Sequence, residues 1–302
     1  MSALISHVRF VGLGVSDFEA ERQFLGTLWC LKEEYGNADM AYFAARGSTE
    51  PYVLRLHRTP ENRTELVSFA TDSRSNVDEL HASLSKRDVK IASEPSEISS
   101  YGGGYGFRFF DLDGRLVEVS ADVANRTAEE LSPKAALPKG LSHAVFHAPD
   151  VNATVSWYED HLGLRVSDWL DDFMCFMRGN GSKHHCLAFL KGPATLNHVA
   201  FELENIDEMM RGMGRLLKEG FKPEWGPGRH TAGDNTFAYF RSPAGNMYEY
   251  TAELEYVPDD WQPRTFPRSG DIIDQWGTGR IGGPAVFPEV KADAALWSAD
   301  AP

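Results

Sequence analysis

The sequence predicts an α+β fold of two tandem domains, each a curled mixed sheet with flanking helices. Three observations carry this expectation. The chain aligns with itself. Each copy runs strand, helix, further strands, second helix and closing hairpin. A segment rich in Lys, Ala and Pro, SPKAALPKG (Ser132 to Gly140), separates the copies and reads as a linker. The expected division is 1–130 for the first domain, 131–140 for the linker, 141–256 for the second domain and 257–302 for an irregular tail.

The elements follow in order. ISHVRFVGLGVSD (Ile5 to Asp17) resembles LSHAVFHAPDVN (Leu141 to Asn152), each an alternating strand that ends near an Asp before a helix. The helices come next, DFEAERQFLGTLWCL and DVNATVSWYEDHLGL, with Phe24 and Leu25 matching Trp157 and Tyr158. ELVSFATDSRSNVDEL then matches NHVAFELENIDEMM: a strand, a turn and a helix with Asn76 or Asn205 as N-cap. FRFFDLDGRLVEVSAD matches FAYFRSPAGNMYEYTAE, a hairpin with Gly114 or Gly245 in its turn. After about Tyr256 the chain turns to DDWQPRTFPRSGD and a Gly/Ala/Pro-containing stretch without periodicity, hence the irregular tail.

Composition narrows the function. The 302 residues suffice for two medium domains with a sizeable core, and 42% hydrophobic with 25% charged residues is ordinary for a globular protein. A net charge of −14 without any Lys/Arg stripe argues against a nucleic-acid partner and against docking on an anionic membrane. No run of 18 apolar residues predicts a membrane span, and MSALISHVRF lacks the basic start and apolar core of a signal peptide. Cys30, Cys175 and Cys186 are odd in number and form no CxxC, which fits free thiols in a reducing cytoplasm.

The chemistry begins in TLNHVAFELEN. Val199 and Phe201 share one face of this strand, His198 and Ala200 the other. A lone histidine there is ordinarily a core or edge residue. The repeat supplies companions: His143, His198 and Glu249 lie on three repeat-equivalent strands of the second half. The first half offers His7 and Glu118 at the matching places, but Leu66 at that of His198. If each copy curls around a cavity, His143, His198 and Glu249 converge. Two imidazoles and a carboxylate on one side of a metal leave the other side open, the arrangement of non-haem Fe(II) oxygen chemistry. Mn(II) takes the same donors; zinc is less favoured without a thiolate, though two His and one Glu also bind catalytic zinc.

The βαβββ pattern, this triad and FAYFRSPAGNMYEYTAE resemble the vicinal-oxygen-chelate (glyoxalase/bleomycin-resistance) superfamily. Within it the chain is most similar to the type I extradiol ring-cleaving dioxygenases, the catechol and 2,3-dihydroxybiphenyl group, over about residues 5–255. The resemblance implies that each domain holds a pair of βαβββ modules' worth of sheet, with the first domain metal-free, as Leu66 suggests. It implies an acid/base histidine shortly before the second ligand. HHCLAFL offers His184 and His185, of which alternation turns only one to the cavity; the following LAF matches His185 to the family's residue. It further matches Tyr239, ten residues before Glu249, and His230 in GPGRH, with Asp234 and Asn235 nearby to orient His230. His147 is left to the pocket entrance or the surface, and His57, His81 and His161 read as surface residues.

The implied activity is cleavage of a catechol-type diol by dioxygen, beside its two hydroxyls, in aromatic-compound degradation. His185 would take the hydroxyl proton, and Tyr239 and His230 would hydrogen-bond the substrate oxygen. The implied partners are the diol and dioxygen, and exposed sheet edges imply a homo-oligomer. Two other readings stand beside it. One is a glyoxalase-like isomerase, whose sites typically use four protein ligands. The other is a non-catalytic small-molecule binding protein.

Overall fold

A computed structural model describes residues 4–279 and 290–302. In the first half, β1 (Ile5–Val15), β2 (Lys32–Gly36), β3 (Met40–Ala44), β4 (Leu54–Arg58), β5 (Arg63–Thr71), β6 (Ile91–Glu97), β7 (Tyr105–Phe110) and β8 (Leu116–Ala121) form an eight-stranded sheet, ordered β2-β3-β4-β1-β5-β8-β7-β6. The second half contributes β9 (Gly140–Ala148), β10 (Arg165–Leu170), β11 (Met174–Arg178), β12 (Leu187–Lys191) and β13 (Thr195–Glu202), then β14 (Pro223–Arg229), β15 (Thr236–Arg241), β16 (Met247–Ala252) and β17 (Arg264–Phe266). These nine strands run β14-β15-β16-β13-β9-β12-β11-β10-β17. Helices α1 (Phe18–Gln23) and α2 (Arg74–Ser85) belong to the first half, α3 (Val151–Leu162) and α4 (Ile206–Lys218) to the second. In both sheets a central antiparallel pair, β1–β5 or β9–β13, is flanked by parallel neighbours. The chain thus folds as two curled mixed sheets with few helices, the expected α+β class.

The helices start where side chains satisfy their free N–H groups. Asp150 accepts from Ala153 N at 3.0 Å and Asn205 from Glu208 N at 3.0 Å. In α2 the cap is Ser73, which accepts from Asn76 N at 3.2 Å; Asn76, expected as a cap, lies one turn inside. Helix α3 ends on Gly163 at φ +68, the left-handed conformation that glycine adopts without strain. Its stripe Val151, Val155, Tyr158 and Leu162 is buried, each side chain contributing roughly 1.5–3 kcal/mol of apolar transfer.

The strand ladders correct the phase of the internal repeat. Ala200 pairs with His143 and Glu249, and the corresponding Ser68 pairs with Phe10 and Glu118. Phe10, not His7, therefore occupies the place of His143. The helix-capping aspartates, Asp17 and Asp150, each stand seven positions after that residue and fix the register. His7 lies outside this row, with its side chain 47% exposed and 2.8 Å from Glu50. Phe10 and Leu66 join Tyr42 and Tyr52 in a buried cluster, so the first module packs apolar side chains where the second carries imidazoles.

The two halves lock by a reciprocal contact. Glu21 of α1 is fully buried in the hairpin turn of the second half. Its carboxylate accepts from Ser242 Oγ (2.9 Å), Asn246 Nδ2 (2.9 Å), Tyr248 OH (2.6 Å) and Ala244 N (3.1 Å). The equivalent turn of the first half docks on α3 with the polarity reversed. There Asp111 accepts from Tyr158 OH and Asp113 from Thr154 Oγ1, both at 2.9 Å. Arg115 ties the two aspartates together and donates to the carbonyl of His147. Burial, reinforced by the facing carboxylate, pushes the hydroxyls of Tyr248 and Tyr158 well up, so both remain donors.

The segment after Tyr256, expected to be irregular, supplies β17, which extends β10 in parallel register (Trp169 opposite Thr265), and α5 (Gly270–Ile273). A three-residue strand displays no periodicity; the open edge of β10 is what orders it. Residues 280–289 of the expected tail lie outside the described residues. Among the described residues no helix is long and apolar enough to cross a membrane, and the three cysteines are free. His57, His81 and His161, expected on the surface, are all half-buried, against Glu65, Glu94 and Trp157 respectively.

The Glu21 contact gives a stability test. Replacing Glu21 with Ala strands three buried donors and a half-buried one and should cost about 3 kcal/mol. It should be read as a lower urea midpoint at unchanged slope. An unchanged midpoint would show that the interface does not depend on this carboxylate.

Candidate metal centre

The centre is built on the row β16-β13-β9. Ala200 pairs in register with both neighbours, so His143 and Glu249 project to the same face, and His198, two residues before Ala200, joins them. The methyl of Ala200 leaves room above it for three longer side chains. Glu249 Oε2 lies 3.1 Å from His143 Nε2 and 3.0 Å from His198 Nε2, and the two nitrogens are 3.5 Å apart. Ligands about 2.1 Å from an ion and at right angles are about 3 Å apart, so this triangle has the size of one octahedral face. Among the described residues no other group of three or more His, Cys, Asp or Glu brings its ligand atoms within 4.8 Å of one another.

The protonation state suits a cation. All three residues are buried. Burial pushes the Glu249 carboxyl up, but the imidazoles of His143 and His198 outweigh it and hold the group well below the carboxylate range. Burial also lowers His198, with Glu249 only partly compensating. The carboxylate is therefore ionised, and His198 is neutral at pH 7.

Neighbours fix where each imidazole keeps its proton. His198 Nδ1 is 2.6 Å from Asn197 Oδ1, which can only accept, so the lone pair is on Nε2. Asn197 Nδ2 in turn donates to His147 Nε2 at 2.8 Å. His147, left open in the sequence, is thus buried beside the site, with its pKa lowered by burial. Ser142 Oγ lies 3.0 Å from His143 Nδ1 and can accept its proton, which leaves Nε2 to the site. The set of donors fits a divalent ion of the Fe(II) or Mn(II) kind.

Three further side chains face the same space. The His185 ring lies 4.4 Å from that of His143, and burial, then the surrounding imidazoles, lower its pKa far below the usual histidine value. Tyr239 pairs with Glu249 across β15 and β16 and so shares its face. Its hydroxyl is pushed well up, by burial first and by Glu249 second, and lies 3.0 Å from His230 Nε2. His230 Nδ1 donates to the Ile273 carbonyl at 2.7 Å, so Nε2 accepts from Tyr239. A cavity of about 410 Å³ opens above these groups. Opposite them it is walled by Leu170, Phe173, Phe176, Leu190 and Ile272, with Arg268 at the rim 3.6 Å over the Phe173 ring.

The structure therefore brings His143, His198, Glu249, His185, His230 and Tyr239 around one cavity. His184 points away from it, toward Asp168. Asp234 and Asn235 do not touch the His230 ring but hold its backbone: the Asn235 carbonyl accepts from the His230 N–H at 2.9 Å, and Gln275 Nε2 bridges the His230 carbonyl and Asp234. Sequence reasoning misses Asn197, whose place beside a ligand was the available signal. It also misses Trp225, stacked 5.3 Å from Tyr239, and Ile273; no local pattern marks either.

Known proteins resemble this chain in sequence and in structure. Residues 140–250 match the Glyoxalase/Bleomycin resistance protein/Dioxygenase superfamily. The chain is 46% identical to the Mn(II)-bound glyoxalase from Novosphingobium aromaticivorans, with a TM-score of 0.94 over 97% of each chain. It is 33% identical to metapyrocatechase 2 of Cupriavidus necator over 60% of this chain, a match that spans 63% of that protein's length. It is 23% identical to an iron-dependent extradiol dioxygenase of Rhodococcus jostii over 90% of this chain and 96% of that protein.

Two substitutions test the centre itself. His198→Ala should abolish stoichiometric binding of Fe(II) or Mn(II). Asn197→Ala, which frees the ligand's outer nitrogen, should weaken metal affinity about 10- to 100-fold in a chelator competition. Wild-type affinity in either variant would contradict the roles assigned to them.

Proposed function

We propose that this chain, which belongs to the Glyoxalase/Bleomycin resistance protein/Dioxygenase superfamily, is an extradiol dioxygenase. It would open the ring of a catechol-type diol beside its hydroxyls, at Fe(II) or Mn(II) held by His143, His198 and Glu249. One observation carries this reading. Three ligands occupy one side of the centre, and three separate proton-handling side chains, His185, His230 and Tyr239, face the same cavity. A bound ion supplies open positions for diol and dioxygen and lowers the pKa of the hydroxyls it binds.

The protein's residues do the rest. His185 is neutral at pH 7, so its Nε2 can take the diol proton and return it later in the cycle. Tyr239 keeps its proton and can turn its hydroxyl from His230 to a substrate oxygen, while the Ile273 carbonyl holds His230 in place. Leu170, Phe173 and Phe176 give a planar ring an apolar bed that excludes water, and this wall favours an apolar ring substituent over a charged one. Residues 141–256 carry the chemistry in this reading. Residues 1–130 form the metal-free partner, with Phe10 and Leu66 at two ligand places. A cytoplasmic location and a homo-oligomeric state belong to the same proposal.

A second reading, a glyoxalase-type isomerase, is favoured by the 46% identity to a protein of that name. Sites of that type typically use four protein ligands, and among the described residues no fourth His, Cys, Asp or Glu joins the cluster. Oxygen consumption with a panel of catechols, after loading with Fe(II) or Mn(II), separates the two. The expected result is uptake with a yellow ring-fission product; isomerisation of a thiol adduct without uptake would overturn the dioxygenase reading.

His185→Phe should keep metal and diol binding while slowing turnover about 10²- to 10⁴-fold. Because the His185 pKa is lowered, its neutral form persists below the ordinary histidine range. The acid limb of kcat/KM should therefore fall below pH ~6.5. A limb above that pH would assign the base elsewhere.

A further inference from the structure

The second nitrogen of His185 is not free. His185 Nδ1 lies 2.9 Å from His184 Nδ1, and His184 Nε2 lies 2.8 Å from Asp168 Oδ2. Asp168, on β10, is gripped by Arg264 of β17. The Arg264 backbone N–H reaches Oδ1 at 2.9 Å, Nε reaches both oxygens at 3.1 Å, and the guanidinium terminus reaches Oδ2 at 2.7 Å. Asp168 and His184 are fully buried, and His185 is 2% exposed. The His184 backbone is pinned by the Glu255 carbonyl at 2.8 Å, and Gly233 closes over both rings; a Cβ there would come within 3.1 Å of each.

We infer that Asp168 and His184 are positioning residues that decide which nitrogen of His185 carries its proton, so that Nε2 meets the cavity as a lone pair. The direction follows from which groups can accept. An ionised carboxylate only accepts, so His184 Nε2 donates to Asp168. When the proton donated to Asp168 is the only one on the His184 ring, its Nδ1 is a lone pair. The 2.9 Å contact then requires His185 Nδ1–H as donor. His185 Nε2 is left unprotonated, the form a base needs before it meets the diol. Burial pushes the Asp168 carboxyl up, but His184 and Arg264 outweigh it and hold the group below its usual range, which keeps the first link of the chain an acceptor. Arg264 comes from the segment after Tyr256. That stretch of chain therefore acts on the site through a carboxylate rather than through the cavity wall alone.

The inference deepens the ring-cleavage reading and rests on it for its catalytic meaning; the proton's position does not. The test uses ¹⁵N-histidine-labelled full-length protein loaded with diamagnetic Zn(II), with the His185 nitrogens assigned by their loss in His185→Phe. In the wild type Nδ1 should be protonated and Nε2 not. Asp168→Asn places an amide where Arg264 cannot accept but His184 Nε2 can. The chain should reverse and Nε2 of His185 should gain the proton. The Fe(II)-loaded variant should lose about 10²- to 10⁴-fold in kcat, with KM and metal content unchanged, as the Asp to Asn change does by the wrong tautomer in a Ser-His-Asp triad. His184→Gln can donate to Asp168 and accept from His185, so it should keep the wild-type proton position and most of the rate. A protonated Nε2 in the wild type overturns the inference whether or not any variant folds, and so does an unchanged tautomer in Asp168→Asn. The expected tautomers in a protein that cleaves no diol would uphold the inference and sink the dioxygenase reading.

Discussion

One carboxylate shared by two imidazoles is the contact on which the rest of the second module depends. Glu249 sits at about 3 Å from both His143 and His198 because the three strands that carry them are hydrogen-bonded neighbours in register about Ala200. A buried carboxylate flanked by lone pairs is costly in a protein interior unless a cation completes it. The outer contacts reinforce this: Asn197 and Ser142 hold the Nδ1 side of each imidazole, so both Nε2 atoms converge on one point. The same logic of fixed protons extends outward to His230, through Ile273, and to His185, through His184 and Asp168.

The first module shows the same frame put to structural use. Its row reads Phe10, Ser68, Leu66 and Glu118, and two of the three ligand places are apolar and packed into a core. Glu118 keeps its carboxylate but spends it on Ser68 and Arg108. What this module contributes is the reciprocal turn-on-helix contact. Glu21 enters the turn beside Tyr248, the residue next to Glu249, and so links the first half to the strand that bears the carboxylate.

Much of this was legible in the sequence because strand alternation and an internal repeat are both local signals. His198 and Ala200 share a face by period two alone, and the contrast with Leu66 distinguishes the copies. The repeat was less reliable where it rested on a short similarity. The Ser-His pairs at Ser6-His7 and Ser142-His143 suggested a match that the ladders place three residues away, because the capping aspartates set the phase. Alternation alone could not choose between His184 and His185, since both are buried and only their partners differ; the resemblance of the following LAF chose His185. Arg264, Asp168 and Ile273 reach the site through pairing of β17 with β10 and through the turn that follows. Such long-range contacts leave no periodicity in the segments that make them.

The most direct measurement is the crystal structure of the Fe(II)-loaded protein with a catechol bound in the absence of oxygen. The expected result is an ion held by His143, His198 and Glu249 alone, with both diol oxygens on its open side and His185 Nε2 within hydrogen-bond reach of one of them. A fourth protein ligand on the ion, or a diol bound away from it, would contradict the account.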